Sequence, residues 1–461
     1  MSVSPTPQEI VERALAGPGD AGRAVLVTQT SEAVLRWANS TMTTNGHTTA
    51  QDVAVVALEA VEGGTAVGVV SSGAPLRDAA AVDALVVAAR RAAREAGPAR
   101  DVAPLPEPAA DDPGWLDGAV ETSIGVFGGL VEGLAEVLDR PQRHYGFASH
   151  DVSTVWLGTS TGVRRRWVQP TGSIELNVKT PDLDGSAWTG RPTADFTDVD
   201  VVALAADATS RLDWGRRRVS LPAGRYETLL PPSAVSDFLL MLAWSMGGRP
   251  AQEGRSAFAG PDGPRIGERL TDRPLTLASD PAAPGLEYAP FVAALHSGDG
   301  VSVFDNGAPA RRVEWLRDGA VAELAYSRPE AAEFGTAFAP PGDNLLLTGG
   351  SAAALADMVA GTRRGLLLTC LWYIREVDPE TLPLTGLTRD GVYLVENGEV
   401  VAEVDHNFRF NHSPLDVVRQ ATEIGATERT LPREWKDWFT RVAMPPMRVP
   451  ELNMSSVSPS R

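Results

Sequence analysis

The sequence predicts an α+β protein in which mixed α/β N-terminal and middle domains precede a large antiparallel, β-rich C-terminal domain. In the first 220 residues, helix-like and strand-like segments alternate, and the Ala-rich segment 79–96 ends in Gly97-Pro98, as a helix does. Beyond residue 221 the chain is largely strands and turns. Three hairpin signals follow, at Asp305-Asn306-Gly307, Asp318-Gly319 and Glu396-Asn397-Gly398. Asn-Gly and Asp-Gly pairs accept the positive φ angles that tight hairpins require.

The length of 461 residues is too great for one ordinary core, so two or three domains are expected. Composition changes predict the boundaries. The stretch 98–115, rich in Pro, Ala and acidic residues, is typical of a stiff linker. The predicted units are an N-terminal α+β domain (1–97), this linker, a middle α+β domain (116–220), a β-rich C-terminal domain (221–450) and a tail (451–461).

The first two domains have clear element signals. Thr6-Pro7 is a typical N-cap and first helical residue. After that helix, a polar turn region is expected over 39–49, between strands. The predicted strands are 24–28, 34–37, 52–58, 66–70, 145–149, 154–159 and 173–180, and the further helices are 79–96, 124–138 and 199–212.

The C-terminal domain is predicted around one hairpin and one apolar helix. Residues 392–395 and 400–404 flank the Asn397-Gly398 turn, which pairs them as antiparallel strands. Pro231-Pro232 precedes an apolar helix over 234–246. Two shorter helices are expected, over 352–362 and 414–424.

Composition excludes several function classes. Acidic residues outnumber basic ones 59 to 41 and the net charge is −18, which argues against a nucleic-acid partner. One cysteine cannot form an internal disulfide. The first residues have neither the basic nor the apolar region of a signal peptide, and no apolar run reaches 18 residues. A cytoplasmic protein is expected.

The residues by themselves indicate no catalytic constellation. Cys370 lies in an apolar run, as a buried structural thiol does. No HExxH or HxxxH pair is present. His406 and His412 would be about 20 Å apart along one strand, too far to share a metal ion. Glu376 and Asp378 flank a bend and could serve as an acid/base pair, although acids in turns usually bind the backbone.

Several short segments resemble one protein family in their order and spacing across about 420 residues. The N-terminal part contributes Arg36-Trp37-Ala38-Asn39 and Thr44-Asn45-Gly46, and the middle part contributes Thr159-Ser160-Thr161-Gly162. Further segments are Arg225-Tyr226-Glu227-Thr228-Leu229-Leu230-Pro231-Pro232, Phe304-Asp305-Asn306-Gly307, Asp343-Asn344-Leu345 and the hairpin from Gly391 to Glu399. Together these segments resemble the TldD/PmbA family of metallopeptidase-related proteins.

The resemblance implies which kind of family member this is. TldD-type chains carry an HExxxH helix whose two His, with a distant Cys, look like zinc ligands and whose Glu is the general base. The place of this motif here holds Met241, Leu242 and Met246. Thioethers are poor Zn²⁺ ligands in such sites, and leucine cannot accept a proton from water. The resemblance is therefore to the metal-free TldE/PmbA type, with no catalytic residue and no cofactor in this chain and zinc in the partner.

The function implied is that of a non-catalytic subunit of a TldD–TldE zinc metalloprotease that degrades or processes peptides. The expected partners are a TldD-type subunit and peptides, with a homodimer possible in isolation and no membrane partner. Peptidase activity is expected only of the complex. A sheet edge could capture an extended peptide through main-chain hydrogen bonds. The candidate partner- or peptide-facing residues are Cys370, Trp372, Tyr373, Arg375, Glu376 and Asp378.

Two other interpretations remain open. One is a metal-free, homo-oligomeric peptide-binding or regulatory protein without a peptidase partner. The other is an independent hydrolase with an unconventional site, built on His406 and His412 or on Glu376 and Asp378.

Overall fold

The computed structural model describes residues 4–16, 21–108, 110, 112–389 and 391–458. The N-terminal elements are the strands β1 (Gly22–Ala38), β2 (Thr41–Val61), β3 (Gly64–Ser72), β4 (Arg143–Thr159), β5 (Arg164–Lys179) and β6 (Ser186–Thr193), with the helices α1 (Pro7–Leu15), α2 (Ala79–Ala96), α3 (Gly128–Leu138) and α4 (Val201–Trp214). The helix predicted over 79–96 is confirmed. The mixed α+β class is also confirmed.

The strands on both sides of the predicted linker belong to one sheet. Its order is β3-β2-β1-β4-β5-β6, and all neighbours are antiparallel. Because β1 pairs with β4 from Ala24 to Trp37, residues 1–97 and 116–220 share this sheet and do not form separate sheets. The linker packs against it, with Leu105 buried beside Leu58. Local sequence could not reveal this pairing, which joins residues more than 100 positions apart.

The prediction of a polar turn over 39–49 is wrong. The turn consists of Asn39 and Ser40, whose φ angles are 50° and 58°, and β2 begins at Thr41. The polar residues that follow are threonine-rich, and threonine is a β-branched residue that favours strands. Polarity indicates exposure here and does not indicate a loop.

One face of this sheet carries the four helices and the other face meets the C-terminal part. Val25 and Val27 pack with α1 and α2, while Leu35 and Trp37 pack with α3 and α4. The alternate residue Leu26 points the other way, to Phe291. Burial on both faces explains the apolar run from Ala24 to Val27 in β1.

The C-terminal part contains α5 (Pro232–Trp244), α6 (Gly248–Gln252), α7 (Arg328–Phe334), α8 (Leu355–Ala360) and α9 (Pro414–Gln420). Its strands are β7 (Arg218–Val219), β8 (Gly224–Leu230), β9 (Ala259–Gly260), β10 (Gly263–Pro264), β11 (Thr276–Ser279), β12 (Val313–Arg317), β13 (Ala320–Val321), β14 (Leu345–Thr348), β15 (Arg364–Leu368), β16 (Leu371–Glu376), β17 (Leu384–Thr388), β18 (Val392–Glu396), β19 (Glu399–Val404), β20 (Asn407–His412), β21 (Glu423–Ile424), β22 (Glu428–Thr430), β23 (Val442–Met444) and β24 (Met447–Ser458).

These strands form two larger sheets around one core. The first has the order β16-β17-β20-β24-β8-β15-β18-β19-β7, and the second has the order β13-β12-β11-β14-β23-β22. Helix α5 is buried in the core that the two sheets enclose. Residues 451–458, which the sequence assigns to a tail, instead form the second half of β24 between β8 and β20. These residues are polar, which suggested a tail, but their backbone hydrogen bonds to β8 and β20 hold them in the sheet.

Two of the three hairpin signals form tight turns. Asp318-Gly319 joins β12 to β13 and Asn397-Gly398 joins β18 to β19, each with two positive φ angles. The third signal is wrong as a hairpin. There Asp305 ends a 3-10 turn, and its carboxylate accepts the backbone N–H of Arg328.

None of the helices in the described ranges is both long enough and apolar enough to cross a membrane.

Candidate functional site

A cavity of about 630 Å³ opens at the C-terminal end of α5. Its walls come from α5, from the turn after β16 and from the start of β14, so it joins segments that are far apart in sequence. The end of α5 is fixed by Ser245, whose hydroxyl donates to the carbonyl of Met241 at 2.8 Å. Residues that line the cavity include Met241, Trp244, Ser245, Leu345, Glu376, Pro379 and Glu380 from these segments, and Phe439 from the segment between β22 and β23.

Aromatic rings form one wall of the cavity. Trp244 remains 48% exposed, and its ring lies edge-on to Trp435 at 5.2 Å and to Phe439 at 6.5 Å between ring centres. Trp315 forms another part of the lining. Such rings offer large apolar contact area with few rotatable bonds, as ligand pockets commonly do.

The charged groups of the cavity are mostly acidic. Glu376, Glu380 and Asp299 are in the lining, with Arg255 as a cation. Arg255 is paired with Glu253 at 2.5 Å, so its charge is largely compensated. The cavity therefore favours a cationic group over an anionic one.

The three residues at the place of the zinc-binding motif do not lie together. Met241 lines the cavity, whereas Leu242 and Met246 are fully buried in the C-terminal core. Helix α5 ends at Trp244, so Met246 lies beyond it and does not share a helix face with Met241. Neither the chemistry of these side chains nor their placement fits a zinc ion. Among the residues that the structure describes, no three His, Cys, Asp or Glu side chains are grouped so that they could hold a metal ion.

The structure separates the candidate residues of segment 370–378. Glu376 lines the cavity, and Tyr373 and Arg375 are exposed beside it in sequence. Cys370 is only 2% exposed. Asp378 holds its own turn, because its carboxylate accepts the N–H of Glu380 at 3.0 Å and the hydroxyl of Thr381 at 2.6 Å. These two hydrogen bonds, that of Thr381 first, lower the pKa of Asp378. Cys370 is therefore buried in this chain, and the carboxylate of Asp378 is engaged within its own turn.

The other candidates lie on β16, which is an edge strand. Within the described residues only β17 pairs with it. The strand is irregular between Trp372 and Arg375, where Tyr373 has φ +52° and is 57% exposed. A bulky residue rarely adopts this conformation, which costs about 1–3 kcal/mol and is most common at functional sites.

Residues 432–439, which we call the tryptophan loop, lie beside the cavity and were not among the residues predicted from the sequence. It contains Trp435 and Trp438, and it covers part of the β16 edge: Glu434 accepts the backbone N–H of Ile374 at 3.2 Å. The aromatic-rich stretch from Glu434 to Phe439 in an otherwise polar segment is the signal that could have identified it.

Asp237 anchors the tryptophan loop to α5. Its carboxylate is fully buried and accepts the backbone N–H groups of Arg433 at 3.3 Å and Glu434 at 3.0 Å. Burial raises the pKa of Asp237 well above its ordinary value, and the nearby charge of Glu434 adds to this. Asp237 is the one charged residue of an apolar helix, which is a second signal in the sequence.

The histidines do not form a joint site. His412 is buried at the end of β20, and burial lowers its pKa. His406 lies before β20, and its Nε2 is 2.8 Å from the carbonyl oxygen of Leu221. Neither imidazole lines the cavity beside Glu376.

The fold and cavity define a two-part α+β protein with a candidate ligand site in its C-terminal half. Residues 223–456, half of the chain, match the family described as PmbA/TldA metallopeptidase C-terminal domain. The chain therefore belongs to the PmbA/TldD family. No curated protein sequence matched in a further search.

Solved structures share the fold over nearly the whole chain. TldE from Thermococcus kodakarensis is 16% identical with a TM-score of 0.75, covering 94% of this chain and 96% of its own. A putative modulator of DNA gyrase from Bacteroides thetaiotaomicron is 14% identical with a TM-score of 0.73, covering 97% and 98%. Another from Thermotoga maritima is 15% identical with a TM-score of 0.71, covering 94% and 95%. At these identities the likeness supports the fold alone.

Proposed function

We propose that this chain is a TldE-type, non-catalytic subunit of a heteromeric metalloprotease, whose TldD-type partner holds the zinc ion. The observation that carries the proposal is the end of α5. Met241 lies on the cavity wall where a metal ligand would be needed, and Leu242 and Met246 are in the core. The chain keeps a ligand-sized cavity there, but the motif positions hold no side chain that would bind zinc.

The role left to this chain is to bind the peptide. An extended peptide would lie along the exposed side of β16 and place one side chain in the cavity between Trp244 and Glu376. Main-chain pairing with an edge strand tolerates many sequences, while the cavity would favour apolar or cationic side chains.

The test is to co-express this chain with an HExxxH-containing paralogue from the same genome. We expect the two chains to co-purify and the complex to cleave unfolded peptides. This cleavage should disappear when the Glu of the paralogue's HExxxH motif is replaced by Gln. Cleavage by this chain alone would overturn the proposal, as would failure of the two chains to associate.

The same experiment distinguishes this proposal from the main alternative, a peptide-binding protein without a peptidase partner. If the chain binds peptides in the cavity but never associates with the paralogue, it acts as an independent peptide-binding protein. The cavity favours this alternative, because residues of this chain line a space of about 630 Å³.

A further inference from the structure

A second, smaller cavity of about 110 Å³ lies between the two halves of the protein. Its walls come from β5, from the end of β6, from residues 285–287 and from the hairpin of β22 and β23. Thr430 lies opposite Val442 in this hairpin, so the adjacent residues Arg429 and Arg441 come together where the two strands meet their connecting loop. Both arginine side chains line the cavity.

Two hydrogen bonds orient the guanidinium of Arg441. Its Nε donates to the backbone carbonyl of Asp343 at 3.2 Å, and its Nη1 donates to the hydroxyl of Thr171 in β5 at 3.1 Å. Both acceptors are uncharged, and within the described chain no carboxylate forms an ion pair with this guanidinium. Burial lowers the pKa of Arg441, and the charge of Asp343 offsets this only in part. Charges away from water are normally paired, so this one lacks a counterion.

Arg429 supplies a second donor that is not used. Its Nε is buried and has no hydrogen-bond partner in the described chain. Its Nη1 is 3.4 Å from a carboxylate oxygen of Asp198, but the two side chains are 36% and 41% exposed, so this pair compensates the charge only weakly. Glu287 also lines the cavity, yet it is exposed and pairs with neither arginine. The lining therefore carries two positive charges and one negative charge, in a chain whose net charge is −18.

The size and the donors of the cavity define its ligand. Pockets for drug-sized molecules have volumes of about 300–1,000 Å³, so this cavity has room for one small group only. A planar guanidinium matches the oxygen atoms of a carboxylate or a phosphate, which accept two of its N–H groups at once. The Thr171 hydroxyl accepts from Arg441 and can still donate its own proton to the same group.

We propose that Arg441 and Arg429 bind one oxyanion group, a carboxylate or a phosphate, in this cavity. Two sources of such a group fit the site: a free anion such as inorganic phosphate, and the C-terminal carboxylate of a peptide. Phe439 lines the larger cavity whereas Thr440 and Arg441 line this one, so only a short segment separates the two. Binding here requires no partner subunit, so it is tested independently of the proposed subunit role.

The first test is isothermal titration calorimetry of the full chain with sodium phosphate, with sodium chloride keeping the ionic strength constant. We expect a dissociation constant of about 1 mM, typical of a small anion held by two charged donors. Arg441→Gln should weaken binding about tenfold and Arg429→Gln about threefold, because each removes a charged donor. Arg36→Gln is the matched control, because Arg36 is an exposed strand arginine of the same sheet, and it should bind like the wild type.

Circular dichroism checks that each variant is folded. Arg441 also joins the two halves through Thr171, so if Arg441→Gln unfolds, Arg429→Gln decides the outcome. Phosphate binding that is unchanged in the folded arginine variants would overturn the site.

The second test distinguishes the two sources of the oxyanion. Fluorescence anisotropy compares an N-terminally labelled peptide of alternating Ala and Leu that ends in a free carboxylate with the same peptide ending in an amide. Binding of the free acid that is about fivefold tighter, and that phosphate abolishes, identifies a peptide carboxylate as the ligand. Phosphate binding without a difference between the peptides identifies a free anion. Equal affinity for both peptides together with no phosphate binding would refute the oxyanion site.

Discussion

Acidic side chains determine what the cavity can attract. Glu376 and Glu380 lie on one side of it, and the guanidinium of Arg255 is paired with Glu253. A side chain such as lysine would keep its aliphatic part against Trp244 and its ammonium near these carboxylates. Removing these charges should therefore change which peptides the cavity prefers and should have little effect on the stability of the fold.

The double variant Glu376→Gln, Glu380→Gln tests this selection. We expect its affinity for an extended decapeptide of Ala and Leu with two Lys to fall about 3- to 10-fold, because partly exposed charge pairs contribute roughly 0.5–1.5 kcal/mol. Fluorescence anisotropy of the labelled peptide measures this. Affinity for the same peptide with two Glu should not fall. Glu62→Gln, in the distant turn between β2 and β3, is the control, and equal losses for both peptides would contradict the assignment.

We expect the buried Asp305 to make the stability of the protein depend on pH. Burial raises the pKa of Asp305 to about 7, although the backbone N–H and the charge of Arg328 lower it. The folded state therefore binds this proton more tightly than the unfolded state, whose aspartate titrates near 3.9. The free energy of unfolding should then decrease as pH rises from about 4 to about 7.

The variant Asp305→Asn removes this titration. Between pH 4.5 and 7.5 the free energy of unfolding should decrease in both proteins. The decrease should be about 1–3 kcal/mol smaller in the variant than in the wild type. Urea denaturation at a series of pH values measures the difference. Parallel pH profiles for the two proteins would show that Asp305 ionises normally in the folded state.

Among the elements, β16 and the tryptophan loop together would control access of the proposed peptide to the sheet edge. The carboxylate of Glu434 accepts a hydrogen bond from the outward-facing backbone N–H of Ile374. The loop itself is held by the buried Asp237 in α5. A bound peptide would compete with Glu434 for this donor.

Glu434→Ala should free the N–H of Ile374 and tighten peptide binding about 2- to 5-fold, since one main-chain hydrogen bond contributes about 0.5–1.5 kcal/mol. Glu434→Gln keeps an acceptor and should bind like the wild type. Anisotropy with the lysine-containing decapeptide distinguishes the two variants. If Glu434→Ala binds more weakly than Glu434→Gln, the glutamate supports the peptide site and does not compete with the peptide.

For the whole molecule, Arg433 connects the N-terminal sheet to the edge of the C-terminal sheet. Its guanidinium lies 5.0 Å from the ring centre of Trp188 in β6 and 4.8 Å from that of Trp372 in β16. Lys436 of the same loop pairs with the buried Glu175 of β5 at 2.6 Å. The tryptophan loop thus joins the two halves beside the candidate site.

Arg433→Ala should lower the free energy of unfolding by about 1–3 kcal/mol, because it removes both the stacked group and a charge near Glu175. Arg433→Met keeps much of the apolar stacking and should lose less. Thermal unfolding of the two variants measures the contribution of the charge. Equal losses would assign the effect to packing alone.

Local signals identified much of the fold. The helix 79–96 and the turn at Asn397-Gly398 were predictable because caps, periodicity and positive-φ residues act over a few positions. The same locality explains the error over 39–49, where polar residues in a strand resemble a loop. The pairing of β1 with β4, and of β24 with β8, depends on residues more than 100 positions apart, which no local pattern specifies.

The amino-acid sequence already shows that Met241, Leu242 and Met246 are neither His nor Glu and that acidic residues exceed basic ones, because these facts hold in any conformation. Which candidate residues share a site depends on the folded chain. It placed Glu376 in the cavity, buried Cys370 and brought in Trp435 and Phe439. The physical reason is that the cavity forms where the end of α5, the edge of β16 and the tryptophan loop meet, through long-range packing around one core.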